Sequence, residues 1–194
     1  MTTFVPAANG RNLSTDPQVA KLLCLLKASK TAYTVNDTRT YIEYPPLPPF
    51  AQDPPDSLAL DAMVSAVLIP AIKCHVDSLS DYWIAYYTRM TSSALLASYI
   101  YYARHTGAEP LTEDALAQVS LVLESLSSRL ASEEAQDGKN AILLGGDRLC
   151  PTDALIFGVL HCIRTLFPKD HILKREFDRH ANLSDYCDLI QELF

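Results

Sequence analysis

Positive charge is scarce in this chain of 194 residues: 16 Lys and Arg stand against 23 Asp and Glu, a net charge of −7. No basic block occurs anywhere along it. Phosphate contacts need Lys and Arg, so nucleic acid is not an expected partner. C-x-x-C pairs are absent as well. The five cysteines, Cys24, Cys74, Cys150, Cys162 and Cys187, are scattered at irregular spacing in apolar surroundings. They read as reduced, buried thiols in a non-oxidising compartment, not as a disulfide framework or a zinc site. No apolar run reaches the roughly 18 to 20 residues that a membrane span requires. The best stretch, residues 58–72, is interrupted by Asp61 and Pro70. The N-terminus has one Arg before Asp16 and no continuous apolar or strongly basic face, so a secretory signal is not expected and the segment reads as a poor presequence. Any membrane association is therefore expected to be peripheral, through a partner. What remains is globular in composition, 48% hydrophobic and 20% charged, and long enough for one domain or two small ones.

The organising stretch is residues 144–163. A tight Gly145-Gly146-Asp147 turn follows the short apolar run of residues 141–144. Pro151 then stands where the first helical turn begins, and its missing N–H costs nothing there. Asp153 lies in that turn, able to accept from orphan amides at the positive end of the helix dipole. From Ala154 to Ile163 the residues are apolar on nearly every face, the pattern of a buried helix, and Gly158 would let a neighbouring helix approach closely.

Along the rest of the chain, residues 2–5 form a strand candidate and Asn9-Gly10 a turn signal. Ser14 or Asp16, with Pro17, marks a helix start, and Val19, Leu22, Leu23 and Leu26 give residues 18–29 an amphipathic helical stripe. Residues 32–35 and 41–44 are short β-type runs. From Ser57 the chain reads as helix, with Leu58, Met63, Val64, Val67, Leu68, Ala71 and Ile72 on one broad face and a kink at Pro70 near its end. Residues 81–102 are rich in aromatics, Trp83, Tyr82, Tyr86 and Tyr87 among them, at helical spacing that suits core or interface. Thr112, with Glu113 and Asp114 behind it, opens another helix carrying Leu116, Val119, Leu123, Leu126 and Leu130. A polar loop is expected over residues 132–140.

The Gly146-Asp147, Asp153-Ala154 and Phe157-Gly158 phrase resembles the buried helix of glutathione-transferase C-terminal domains, and more narrowly the metaxin branch of that superfamily. Cys150 departs from the pattern: it takes the slot three before the Asp, where a Ser or Thr cap is usual, and so weakens the cap. Ile69-Pro70-Ala71-Ile72, Trp83, Tyr87 and Thr88, then Leu126-Ser127-Ser128-Arg129-Leu130 and Asn182-Leu183-Ser184-Asp185-Tyr186-Cys187, follow metaxin phrases in order. The resemblance covers residues 57–194 and, more loosely, residues 14–50. It implies a mainly α fold: a GST-like all-helical C-terminal domain over residues 57–194, preceded by a shortened, degenerate thioredoxin-like α/β segment over residues 1–56. Leu47-Pro48-Pro49-Phe50 is, by composition, a rigid polyproline linker; by resemblance it matches the apolar-Pro-x-apolar element whose proline, here Pro48, is cis. Asp56-Ser57 is the possible counterpart of the acidic-Ser pair that holds glutathione. Many metaxins continue toward a membrane-anchoring tail, and this sequence is expected to lack one.

No catalytic, cofactor-binding or metal-binding residue is expected. A transferase needs a hydroxyl or thiol at the start of the first helix; Ser14 and Thr15 lie there, but helix capping is the commoner role for Ser14. Cys74-His75 and His161-Cys162 are sequence neighbours, which point in different directions on a helix. His161 reads as a satisfied core histidine, and Glu133-Glu134 and Asp53 with Asp56 as solvated surface. The resemblance implies a non-catalytic subunit of a mitochondrial membrane complex, acting in outer-membrane β-barrel protein sorting and partnered by other subunits. An accessory subunit of a respiratory-chain or ATP-synthase complex, and a glutathione-dependent transferase, are the alternatives.

Overall fold

A computed structural model describes residues 2–4, 7–8, 13–14, 17–32, 34–36, 41–43, 53, 55, 57–78, 93, 95–96, 112–137, 143–144 and 149–192. The expected cis Pro48, Asp56, the Gly145-Gly146-Asp147 turn and all of the aromatic residues 81–92 and 99–102 lie outside them.

The N-terminal part is mixed. Strands β1 (Thr2–Phe4), β4 (Thr34–Asn36) and β5 (Tyr41–Glu43) form an antiparallel sheet in the order β1-β5-β4. Ile42 is in register with both Thr3 and Val35. A second pair, β2 (Ala7–Ala8) and β3 (Leu13–Ser14), runs antiparallel across the stretch containing Asn9-Gly10. Helix α1 (Pro17–Ala28) lies between β3 and β4. Because β1 and β4 both oppose β5, they are parallel to one another but separated by it, a split β-α-β arrangement. These strands and one helix do not by themselves make a thioredoxin fold.

Helix α1 ends in a Schellman-type stop. Lys30 takes a positive φ of 52°, Thr31 N–H donates to Leu26 O at 2.9 Å and Lys30 N–H to Lys27 O at 2.9 Å. Two of the orphan carbonyls at the helix end are thereby satisfied. Its buried Ala20, Cys24 and Leu25 join the same core as the C-terminal helices.

Helix α2 (Ser57–Met63) passes through a π-helical turn (Val64–Leu68) into α3 (Ile69–Ser78). The expectation that the helix ends near Pro70 is corrected here. Ile69 N–H donates to Val64 O, five residues back, and this widened turn precedes the proline whose ring would otherwise crowd the carbonyl four residues before it. The helix therefore continues to Ser78. Its length also corrects the expectation that no segment reaches spanning length. Ser57–His75 is 19 residues with a mean hydropathy of 1.7, long and apolar enough to cross a membrane by length and composition alone. Val64, Leu68 and Ile72 on its inner face are nevertheless buried in the core, and a core helix meets the same criteria.

Helix α4 (Glu113–Asp137) starts where expected, with Ala115 N–H donating to Thr112 Oγ1 at 3.2 Å, and buries Val119, Leu123, Leu126 and Leu130. It runs on through residues expected to form a loop. Glu133, read from sequence as solvated surface, is buried and pairs with Arg129 one turn earlier at 2.8 Å, an i,i+4 geometry that keeps the helix going. Helices α5 (Pro151–Leu166), α6 (Ile172–Asp178) and α7 (Ala181–Glu192) complete the described chain. Helix α5 is the centre of the assembly: every residue from Thr152 to Ile163 is buried, and α1, α2, α3, α6 and α7 all pack against it.

Candidate functional site

The densest set of polar interactions in the core gathers at the N-terminus of α5. Cys150 is the N-cap, extended at φ −94° and ψ 166°. Its thiol accepts from Asp153 N–H at 3.4 Å and donates to Asp153 Oδ2 at 3.1 Å. Asp153 Oδ2 also accepts from Cys150 N–H at 3.4 Å, and Oδ1 from Leu144 N–H at 3.2 Å. The thiol thus performs the task of the usual hydroxyl, completing a reciprocal capping box through the longer contacts that sulfur makes. A second carboxylate joins from far along the chain: Asp53 Oδ1 accepts from Thr152 N–H at 3.1 Å. Asp53 is exposed, as read from sequence, and its carboxylate also serves as a helix cap.

Burial dominates the electrostatics of this cluster. Asp153 is 1% exposed, and burial pushes its carboxyl up to about 6 against the opposing hydrogen bonds from Cys150 and Leu144. The Cys24 and Cys150 thiols are pushed far up, first by burial and then by the Asp153 charge. Cys187 is raised to about 12, chiefly by burial. All three stay protonated at neutral pH, so none supplies a thiolate nucleophile. Tyr186 on α7 is buried, and its hydroxyl donates to Asp153 O at 3.3 Å, tying the last helix to the cap.

One turn further, Gly158 brings α1 onto α5. A Cβ at this position would lie 2.7 Å from Pro17 O and 2.9 Å from Lys21 N. The backbones touch where only hydrogen fits, as expected from the sequence. Other joints are polar. Asn182 Nδ2 donates to Ser127 O at 2.8 Å while Ser127 Oγ donates to Asn182 Oδ1 at 2.8 Å, locking α7 to α4. Arg164 pairs with Asp188 at 2.7 Å and joins α5 to α7. Residues 119–190 match the family model of the glutathione S-transferase C-terminal domain.

No curated protein and no solved structure matches the chain. The glutathione S-transferase C-terminal match opens at Val119 and closes at Ile190, both fully buried, so it frames the core of the helical body. Within it lie the α5 cap, Gly158 and the Ser127–Asn182 lock. The match is to the C-terminal domain over these residues alone and does not single out the metaxin branch.

The other residues singled out from sequence fall elsewhere. Ser14 pairs with Ala7 in strand β3, three residues before Pro17 opens α1, and Thr15 lies outside the described residues. Ser57, buried, opens α2. Cys74 and His75 lie on α3, and the His75 ring stands edge-on to His171 at 4.6 Å and to Phe167 at 6.3 Å. Phe167 stacks on His171 at 4.4 Å, and His171 Nδ1 accepts from Leu173 N–H at 3.3 Å to cap α6. This ring cluster packs α3 against the α5–α6 turn; no periodicity in the sequence marks it. Burial, then the facing His171, holds His75 down at about 4. Among the described residues no group of three or more His, Cys, Asp or Glu side chains is placed to hold a metal ion.

His161 is a core histidine, 1% exposed. Its Nδ1 lies 3.0 Å from Gln191 Nε2, while Nε2 is buried without a hydrogen-bond partner among the described residues, so within them the expected core histidine is only half satisfied. Burial, with Arg164 and Lys27 nearby, lowers it to about 4. An unfolded histidine titrates near 6.5, so between about 4 and 6.5 the unfolded chain binds more protons and stability rises with pH. His75 acts in the same sense. Asp153 opposes them over about 4 to 6, where the folded chain holds its proton more tightly than the unfolded chain and stability falls as pH rises. His161→Leu is expected to flatten the acid-side loss of stability by up to about 1 kcal/mol per pH unit. Urea unfolding at pH 4.5, 5.5 and 6.5 checks this; an unchanged slope in the variant contradicts it.

Proposed function

We propose that the chain is a non-catalytic, metaxin-like subunit of a mitochondrial membrane complex that acts in outer-membrane β-barrel protein sorting and assembly. One observation carries this reading. Among the described residues, several that spell out the metaxin-like phrases are committed to caps and joints between helices: Asp153 to the α5 cap, Gly158 to the α1 crossing, Ser127 and Asn182 to the α4–α7 lock, Tyr186 to the carbonyl of Asp153. What these phrases encode is a helical body, and a body of this kind suits interaction with other subunits. The buried thiols, held protonated, and Ser14 placed in a strand support a role other than thiol-transfer chemistry. The net charge of −7 favours protein partners over nucleic acid. Association with the membrane runs through those partners, and the N-terminal α/β part is a shortened thioredoxin-like unit.

Co-migration on a native gel of gently solubilised mitochondria, read by mass spectrometry across the slices, tests the proposal. Migration with an outer-membrane β-barrel protein is the expected result. Migration with respiratory-chain or ATP-synthase subunits would replace the sorting role with that of an accessory scaffold. A lone monomer or dimer would overturn the subunit reading.

A further inference from the structure

We draw no further inference here: the strongest candidate, the exposed apolar strip of Leu58, Ala59, Ala62, Ala66 and Pro70 along the outer face of the helix over Ser57–His75, carries nothing because nothing in the structure shows what covers it.

Discussion

Gly158→Ala is expected to lower the stability of this protein by about 3 kcal/mol, although the same change in an exposed helix would raise it by about 1 kcal/mol. The two effects have opposite sign, so the measurement separates them cleanly. Alanine favours helix because it loses less backbone freedom than glycine. Here, however, the added methyl would sit 2.7 Å from Pro17 O and 2.9 Å from Lys21 N. Both are backbone atoms of α1 and neither can rotate away, so α1 must shift as a body and give up the packing of Ala20, Cys24 and Leu25 in the core. Gly158→Val, with two further methyl groups, should cost more and approach the whole stability of an ordinary domain. Equilibrium unfolding in urea measures both variants. A Gly158→Ala protein more stable than its parent would mean that α1 does not lie against α5.

Asp153→Ala should cost a similar amount, about 3 kcal/mol, for a different reason. The carboxylate accepts from Leu144 N–H, Cys150 N–H and the Cys150 thiol. Its removal leaves these donors buried without a partner, at about 1 to 3 kcal/mol for each orphaned group, and also removes a cap. An opposing gain limits the loss, because the charged carboxyl itself is costly to bury, as its rise to about 6 records. Asp153→Asn keeps an acceptor oxygen and removes the charge. Its single oxygen can serve only one of the two acceptor positions, so one N–H is left facing the amide and the loss should be about 1 to 2 kcal/mol, and it should lack the fall in stability with rising pH that Asp153 contributes between about 4 and 6. Equal losses in the Ala and Asn variants would show that the hydrogen bonds do not hold the cap.

The helical body was legible wherever its cause was local. Pro151, Asp153 and an unbroken apolar run announced α5, and burial of every residue from Thr152 to Ile163 bears that reading out. Thr112 announced α4, and the stripe through Val119, Leu123, Leu126 and Leu130 faces the core. Strands β1, β4 and β5 fall within or beside the expected short runs. The glutathione S-transferase resemblance is supported over residues 119–190. Polar residues misled where their partners were distant or outweighed. Asp53 meets Thr152 across 99 positions of sequence, and no local pattern announces such a cap. Ser127 and Asn182, 55 positions apart, were visible only as letters in two phrases. Glu133 did carry a signal, since Arg129 stands four residues earlier on the same helix, but the polar composition of residues 132–140 obscured it. Pro70 misled only as to where the helix ends, since the chain stays helical to Ser78, and the π turn before it was not written in any periodicity.

A glutathione titration of the purified full chain, followed by thermal unfolding, tests most directly whether this fold is a body for packing or a transferase. A ligand that binds only the folded state adds about 2.7 kcal/mol at a hundredfold excess over its dissociation constant. With Ser14 in a strand, three of its thiols protonated by burial and the shared motifs engaged between helices, the melting temperature should not move at millimolar glutathione. A saturable rise that disappears in a Ser14→Ala variant would contradict the account and make the chain a glutathione-dependent enzyme.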